Sequence, residues 1–160
     1  MEVGRSTEAR TVLDQALAIT TDLGDDRGCA WVELALADLD LRTGHWAAAK
    51  RKLTRTIETF ERVADLQGIF EAHRSLGDLA IGQGRSAEAV TPLRRCLQIW
   101  ENDLTGKLER ARILARMAPA MAANGDTTTA DTYRAECLCI VSDLGLDVDC
   151  LLLPPFVPFS

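Results

Sequence analysis

Apolar residues recur at three- and four-residue intervals along most of this chain, the period of one face of an α-helix. Ala9, Leu13, Ala16, Leu17 and Thr20 form the first stripe, predicting a helix over 6–23 capped by Ser6 or Thr7. Val32, Leu36 and Leu39 mark a second over 29–42, ended by Thr43-Gly44. Ala49, Leu53, Ile57 and Phe60 mark a third over 46–63. Further helices are predicted over 69–82, 86–103, 108–123 and 127–144, the last capped by Asp126 or Thr127. Between them lie the breaks Gly24…Gly28, Asp65…Gly68, Gly84, Leu104-Thr105-Gly106 and Asn124-Gly125. Pro119 falls inside the sixth helix, removes one backbone bond and is expected to kink it.

The pattern repeats. A Gly followed five residues later by Ala occurs at Gly4, Gly44, Gly84 and Gly125, spacings of 40, 40 and 41 residues. A fixed period in this range signals stacked helical hairpins. Superposing the copies aligns Leu17, Ile57, Leu97 and Leu138, apolar throughout and therefore expected in the core. A second column, Leu13, Leu53 and Leu93, turns polar at Arg134. On the intervening helices Leu36, Leu76 and Met117 align, beside the small residues Ala37, Gly77 and Ala118. Small residues there let two helix axes approach closely. The chain opens on the second helix of a hairpin, which points to a fragment of a longer protein or a dimer contact.

Composition narrows the function classes. Hydrophobic content of 47%, charged content of 26% and a mean hydropathy near zero describe a folded domain rather than a disordered chain. A net charge of −6 gives no electrostatic support for nucleic-acid binding. No apolar run is long enough to cross a bilayer, and residues 1–5 lack the features of a secretory signal. Five cysteines, an odd number in a chain of this size, fit a reduced cytoplasmic protein. Residues 146–160 break the helical pattern. The stretch from Cys150 to Ser160, with three prolines and two phenylalanines, is expected to be an extended apolar strap over the last hairpin, or else a loose tail.

Leu76-Gly77, then Gly84, then Ala89, Leu93 and Cys96, with Trp46 two residues after Gly44, resemble the tetratricopeptide repeat. The resemblance covers roughly 4–145. The period is about 40 instead of 34 and the repeat-ending proline is absent, both departures from the family pattern; the longer period resembles the variant of bacterial signalling ATPases and transcriptional regulators. The phrase from Ala16 to Gly28, AL-x-I-x-x-x-LGD-x-x-G, resembles that variant too. The resemblance implies an all-α fold: a right-handed α-solenoid of antiparallel helix hairpins with seven helices over 4–145, followed by the tail 146–160. It further implies a concave face lined by Trp31, Leu34 and Asp38, then Glu71, Arg74, Ser75 and Asp78, then Arg112 and Arg116. Of the residues with which family members clamp a peptide carboxylate, only the basic pair Arg112 and Arg116 is matched; Leu34, Asp38 and Ser75 depart from the pattern.

Catalytic and metal chemistry find little footing. His45 and His73 have no cysteine or carboxylate at ligand spacing. Cys137 and Cys139 on a helix point about 200° apart. No phosphate loop, G-x-S-x-G or CxxC occurs, and Asp25-Asp26 sits in a turn where capping is the ordinary role. The reading is a non-catalytic, cofactor-free module that binds protein or peptide, the sensor or assembly part of a bacterial regulator. Trp31 would serve as aromatic anchor, with Asp38, Glu71, Arg74, Asp78, Arg112 and Arg116 setting specificity. The alternatives are a homodimerisation module and a small-molecule or catalytic pocket between the repeats and the tail.

Overall fold

The computed structural model describes residues 2–103 and 106–147. Among them the fold is all-α: α1 (Glu2–Asp22), α2 (Asp26–Arg42), α3 (Trp46–Arg62), α4 (Leu66–Gly82), α5 (Val90–Asp103), α6 (Lys107–Ala123) and α7 (Thr127–Asp143). A 3-10 turn, Ser86–Ala89, precedes α5. The proposed strap from Cys150 to Ser160 and the Leu104-Thr105 turn lie outside the described residues. The chain divides into two compact units, Met1–Ala72 and His73–Ser160, with the boundary inside α4.

In the first unit α2 packs on α3 and on α1. The core is Leu36, Ala37 and Leu41 of α2 against Ala49, Leu53, Thr56 and Phe60 of α3. In the second unit α6 packs on α7 and on α5. There Leu93 and Cys96 meet a core that includes Ile113, Leu114, Met117, Ala130, Cys137 and Val141. Gly77 shows why one column is small: a Cβ on it would stand 2.6 Å from Leu93 Cδ2, which is fully buried.

The expected core column needs correction. Leu97 is buried, but Leu17 and Ile57 are only half-buried and Leu138 is exposed. Positions four, seven and eleven after the repeat Ala lie within about 40° of it around a helix, whereas the eighth lies about 80° away. The buried face is accordingly Ala49, Leu53, Thr56 and Phe60, repeated as Ala89, Leu93 and Cys96 and as Ala130, Cys137 and Val141.

Two helices start three residues earlier than the breaks at Gly28 and Gly68 predict. Both glycines sit in a first helical turn. Asp25 caps α2 by accepting from the Gly28 N–H at 2.8 Å, and Asp65 caps α4 through Gly68 at 3.0 Å. Gly68 also lies under the Phe60 ring, where a Cβ would come within 2.4 Å of it. The helix expected from Ser86 begins as α-helix only at Val90. That start puts Pro92 in the first turn, where its missing N–H leaves no carbonyl unpaired. Pro119 is exposed and α6 runs through it without a break in the helix. Gly44 ends α2 at φ +76°, with His45 N–H reaching the Asp40 carbonyl at 2.8 Å, a Schellman closure.

Candidate functional site

The residues proposed to line a binding face fall in both units. In the first unit Trp31 is half-buried on α2. Its ring packs on Phe60 with centroids 5.1 Å apart and planes at 59°. Its Nε1–H donates to Asp65 Oδ2 at 3.0 Å. Arg27, one turn earlier on α2, donates its Nε–H to the same oxygen at 2.6 Å. Burial alone would raise the Asp65 carboxyl, but the Gly68 N–H, Arg27 and Trp31 outweigh it and hold the group below its ordinary range. Trp31 thus ties α2 to the start of α4. Asp38 is half-buried on α2, and Glu71 on α4 accepts from Gln67 Nε2 at 3.1 Å.

In the second unit the structure brings Arg74, Asp78, Arg112 and Arg116 together. Asp78 is 1% exposed and Arg116 6%. Arg116 gives its Nε–H to Asp78 Oδ1 at 2.8 Å, and Arg74 gives an Nη1–H to Oδ2 at 2.9 Å. A further Arg116 N–H, on Nη1, holds the backbone carbonyl of Arg112 at 2.8 Å. The buried Arg116 therefore acts as an internal tie between α4 and α6 rather than as a surface charge. Arg74 remains half-buried. The Arg112 guanidinium, also half-buried, makes no hydrogen bond or ion pair with any described residue. Two guanidiniums, of Arg74 and Arg116, thus meet one buried carboxylate, and Arg112 stands one turn before Arg116 on α6.

Sequence reasoning missed two carboxylates that organise the first unit. One is Asp65. The other is Asp40, 2% exposed on α2, which receives Arg10 from α1 and Lys52 Nζ from α3 at 2.6 Å. Burial would raise the Asp40 carboxyl, and the hydrogen bonds and charges of Lys52 and Arg10 bring it below its ordinary range instead. A carboxylate one turn after Leu36, on a helix otherwise lined with Leu and Ala, was the available signal. In the second unit Arg110 plays a similar part. It lies 4.5 Å over the Trp100 ring and pairs with Glu136 of α7, which raises the guanidinium pKa. Among the described residues no three His, Cys, Asp or Glu side chains gather as metal ligands, and no helix is long and apolar enough to cross a membrane. Among the described residues Cys29, Cys96, Cys137 and Cys139 are not joined in disulfides.

No family model matches the chain, and no curated protein is similar to it. A solved structure is similar in fold: "Crystal structure of BtubC (BKLC) from P. vanneervenii" superposes with a TM-score of 0.77 at 19% sequence identity. The match covers 89% of this chain and 59% of that one, so the chain spans little more than half of its neighbour's length. At this identity the likeness establishes an all-helical architecture held in common and nothing about activity.

Proposed function

We propose that the chain is a non-catalytic helical-repeat module of tetratricopeptide type that binds an acidic protein or peptide segment, in the cytoplasm, as the sensor or assembly part of a bacterial regulator. The observation that carries the reading is the arginine cluster of the second unit. Arg112 lies one turn before Arg116 on α6, and its guanidinium keeps its donors available on a half-buried surface, with no hydrogen bond or ion pair to any described residue. Guanidinium donors on such a surface favour carboxylates, with two parallel bonds in fixed geometry. In the register that aligns Leu76 with Met117, Arg112 and Arg116 of α6 stand where α4 has Glu71 and Ser75, so the basic pair belongs to this repeat alone. Trp31, committed to Asp65 and Phe60, supports the scaffold in this reading and takes no direct part in capture.

The experiment uses fluorescently labelled peptides rich in Asp and Glu, with amide-blocked and free carboxyl ends, titrated by anisotropy. Arg112→Glu is expected to weaken binding at least tenfold without altering the circular dichroism spectrum. Arg116→Glu is not a fair test, because it would set a second carboxylate against buried Asp78. Equal affinity of wild type and Arg112→Glu would overturn the assignment.

A further inference from the structure

Helix α6 carries a proline in its interior. Pro119 is exposed, and the helix runs on around it from Lys107 to Ala123. Proline has no N–H, so the carbonyl of Ala115, four residues earlier, loses the donor that a helix ordinarily gives it. Pro92 creates no such gap, because it stands in the first turn of α5. No side chain of a described residue donates to the Ala115 carbonyl in its place.

The repeat register shows that this stretch of α6 is bare where its counterpart is covered. With Leu76 aligned to Met117, Ala115 and Pro119 stand where α4 has Arg74 and Asp78. On α4 those two residues form an ion pair of 2.9 Å that spans one turn. On α6 the same turn holds a methyl group and a proline ring, with no long side chain to screen the backbone. Ala115 is half-buried, as is Arg112 just before it. Helical geometry sets Arg112, Ala115 and Pro119 within about 60° around α6 and about 10 Å along it. One stripe thus carries a cation without a partner among the described residues, then a backbone acceptor that its own helix does not use.

We infer that the Ala115 carbonyl is the second contact of the acidic-segment site, accepting a backbone N–H of the peptide whose carboxylate Arg112 holds. It rests on the capture of a carboxylate by Arg112 proposed above. A guanidinium offers only donors, so by itself it fixes a carboxylate and not the run of the chain that bears it. An acceptor further along the same helix supplies that direction. It also demands a peptide N–H beside the acid, which a simple dicarboxylic acid lacks. An acidic helix fits poorly, because its N–H groups beyond the first turn are already bonded. The partner is therefore an acidic segment in extended conformation, whose N–H groups are open to a second chain.

The probe is the labelled, end-blocked peptide Gly-Ser-Glu-Glu-Ser-Gly, with a series in which one backbone amide at a time becomes an ester. Titrated by anisotropy against the full chain, one ester is expected to bind about fivefold more weakly than the amide peptide, the others nearly as well. Pro119→Ala, which returns an N–H to the Ala115 carbonyl, is expected to weaken the amide peptide by about fivefold and to abolish its advantage over that ester. The melting temperature of this variant should not fall. Arg112→Glu is expected to weaken amide and ester peptides alike. Esters that all bind as the amide does, or an ester penalty undiminished in Pro119→Ala, would overturn the inference. If Arg112→Glu still weakens binding in that case, the acidic-segment site stands without the second contact. Indifference to Arg112→Glu, or no binding of the amide peptide, would remove both. The ester series on the unaltered chain decides the matter even if Pro119→Ala fails to fold.

Discussion

Replacing Asp40 by Asn removes one charge and almost no volume at the point where three helices of the first unit meet. The side chain is 2% exposed, with Arg10 on Oδ1 and Lys52 on Oδ2. Hydrogen bonds to charged groups contribute about 1.5–3 kcal/mol each, so two set an upper bound of about 3–6 kcal/mol. The bound is not reached, because Arg10 and Lys52 keep 36% and 25% of their side-chain exposure and can turn to water. The Asn oxygen also retains one donor. A loss of about 2 kcal/mol is expected for the first unit. Urea unfolding followed by Trp31 and Trp46 in a Trp100→Phe background reports that unit, and with a slope of about 1–2 kcal/mol per molar the midpoint falls by about 1–2 M. The pH dependence supplies a second readout. The folded-state pKa of Asp40 is depressed, so its contribution is complete above the unfolded carboxylate value of about 3.9 and is lost as pH falls through the folded value. The gap between wild type and variant should be constant from pH 7 to 5 and close below about pH 4. A midpoint shift under about 0.3 M, or a gap that persists into acid, would show that Asp40 acts by packing alone.

Three further outcomes follow from the same geometry. Arg116→Met should destabilise the second unit by about 3 kcal/mol, because buried Asp78 loses a buried cationic partner, while Arg112→Met should change its unfolding midpoint hardly at all. Ala64 adopts φ +53° at the position where the preceding repeat has Gly24, so Ala64→Gly should raise thermal stability by about 0.5–1 kcal/mol, read as a higher melting temperature. In native protein a thiol reagent should modify exposed Cys139 within minutes. Cys96 and Cys137 should react only on unfolding, since Cys137 is buried and its thiol pushed up by burial and by nearby Glu136.

The helices were legible because each buries a stripe at the period of its own backbone, and the Gly44, Gly84 and Gly125 turns mark their ends with left-handed φ. Their starts were less so. Gly28 and Gly68 read as breaks in one dimension, yet each lies inside a helix whose preceding Asp caps it. The core column was misjudged because apolar identity was taken for burial. Thr56 and Cys96 are fully buried and Leu138 is 46% exposed, as angle around the helix requires.

Side-chain partners were the least legible, because long polar groups reach elements whose distance in sequence says nothing about direction. Trp31 to Asp65 spans 34 residues and Arg116 to Asp78 spans 38. A face can be assigned from periodicity, but whether a charge on it stays available depends on one neighbour's rotamer. Asp65 shows how the two levels join. Its Oδ1 serves the local cap on Gly68, a role readable from the Asp-x-x-Gly spacing shared with Asp25. Its Oδ2, left over from that duty, binds Arg27 and Trp31 of α2. Asp25 makes the same local cap on Gly28 through its Oδ1. At Asp65 a helix-capping residue becomes a tertiary tie because an aromatic and a cation arrive together from α2 on the oxygen that the cap leaves over.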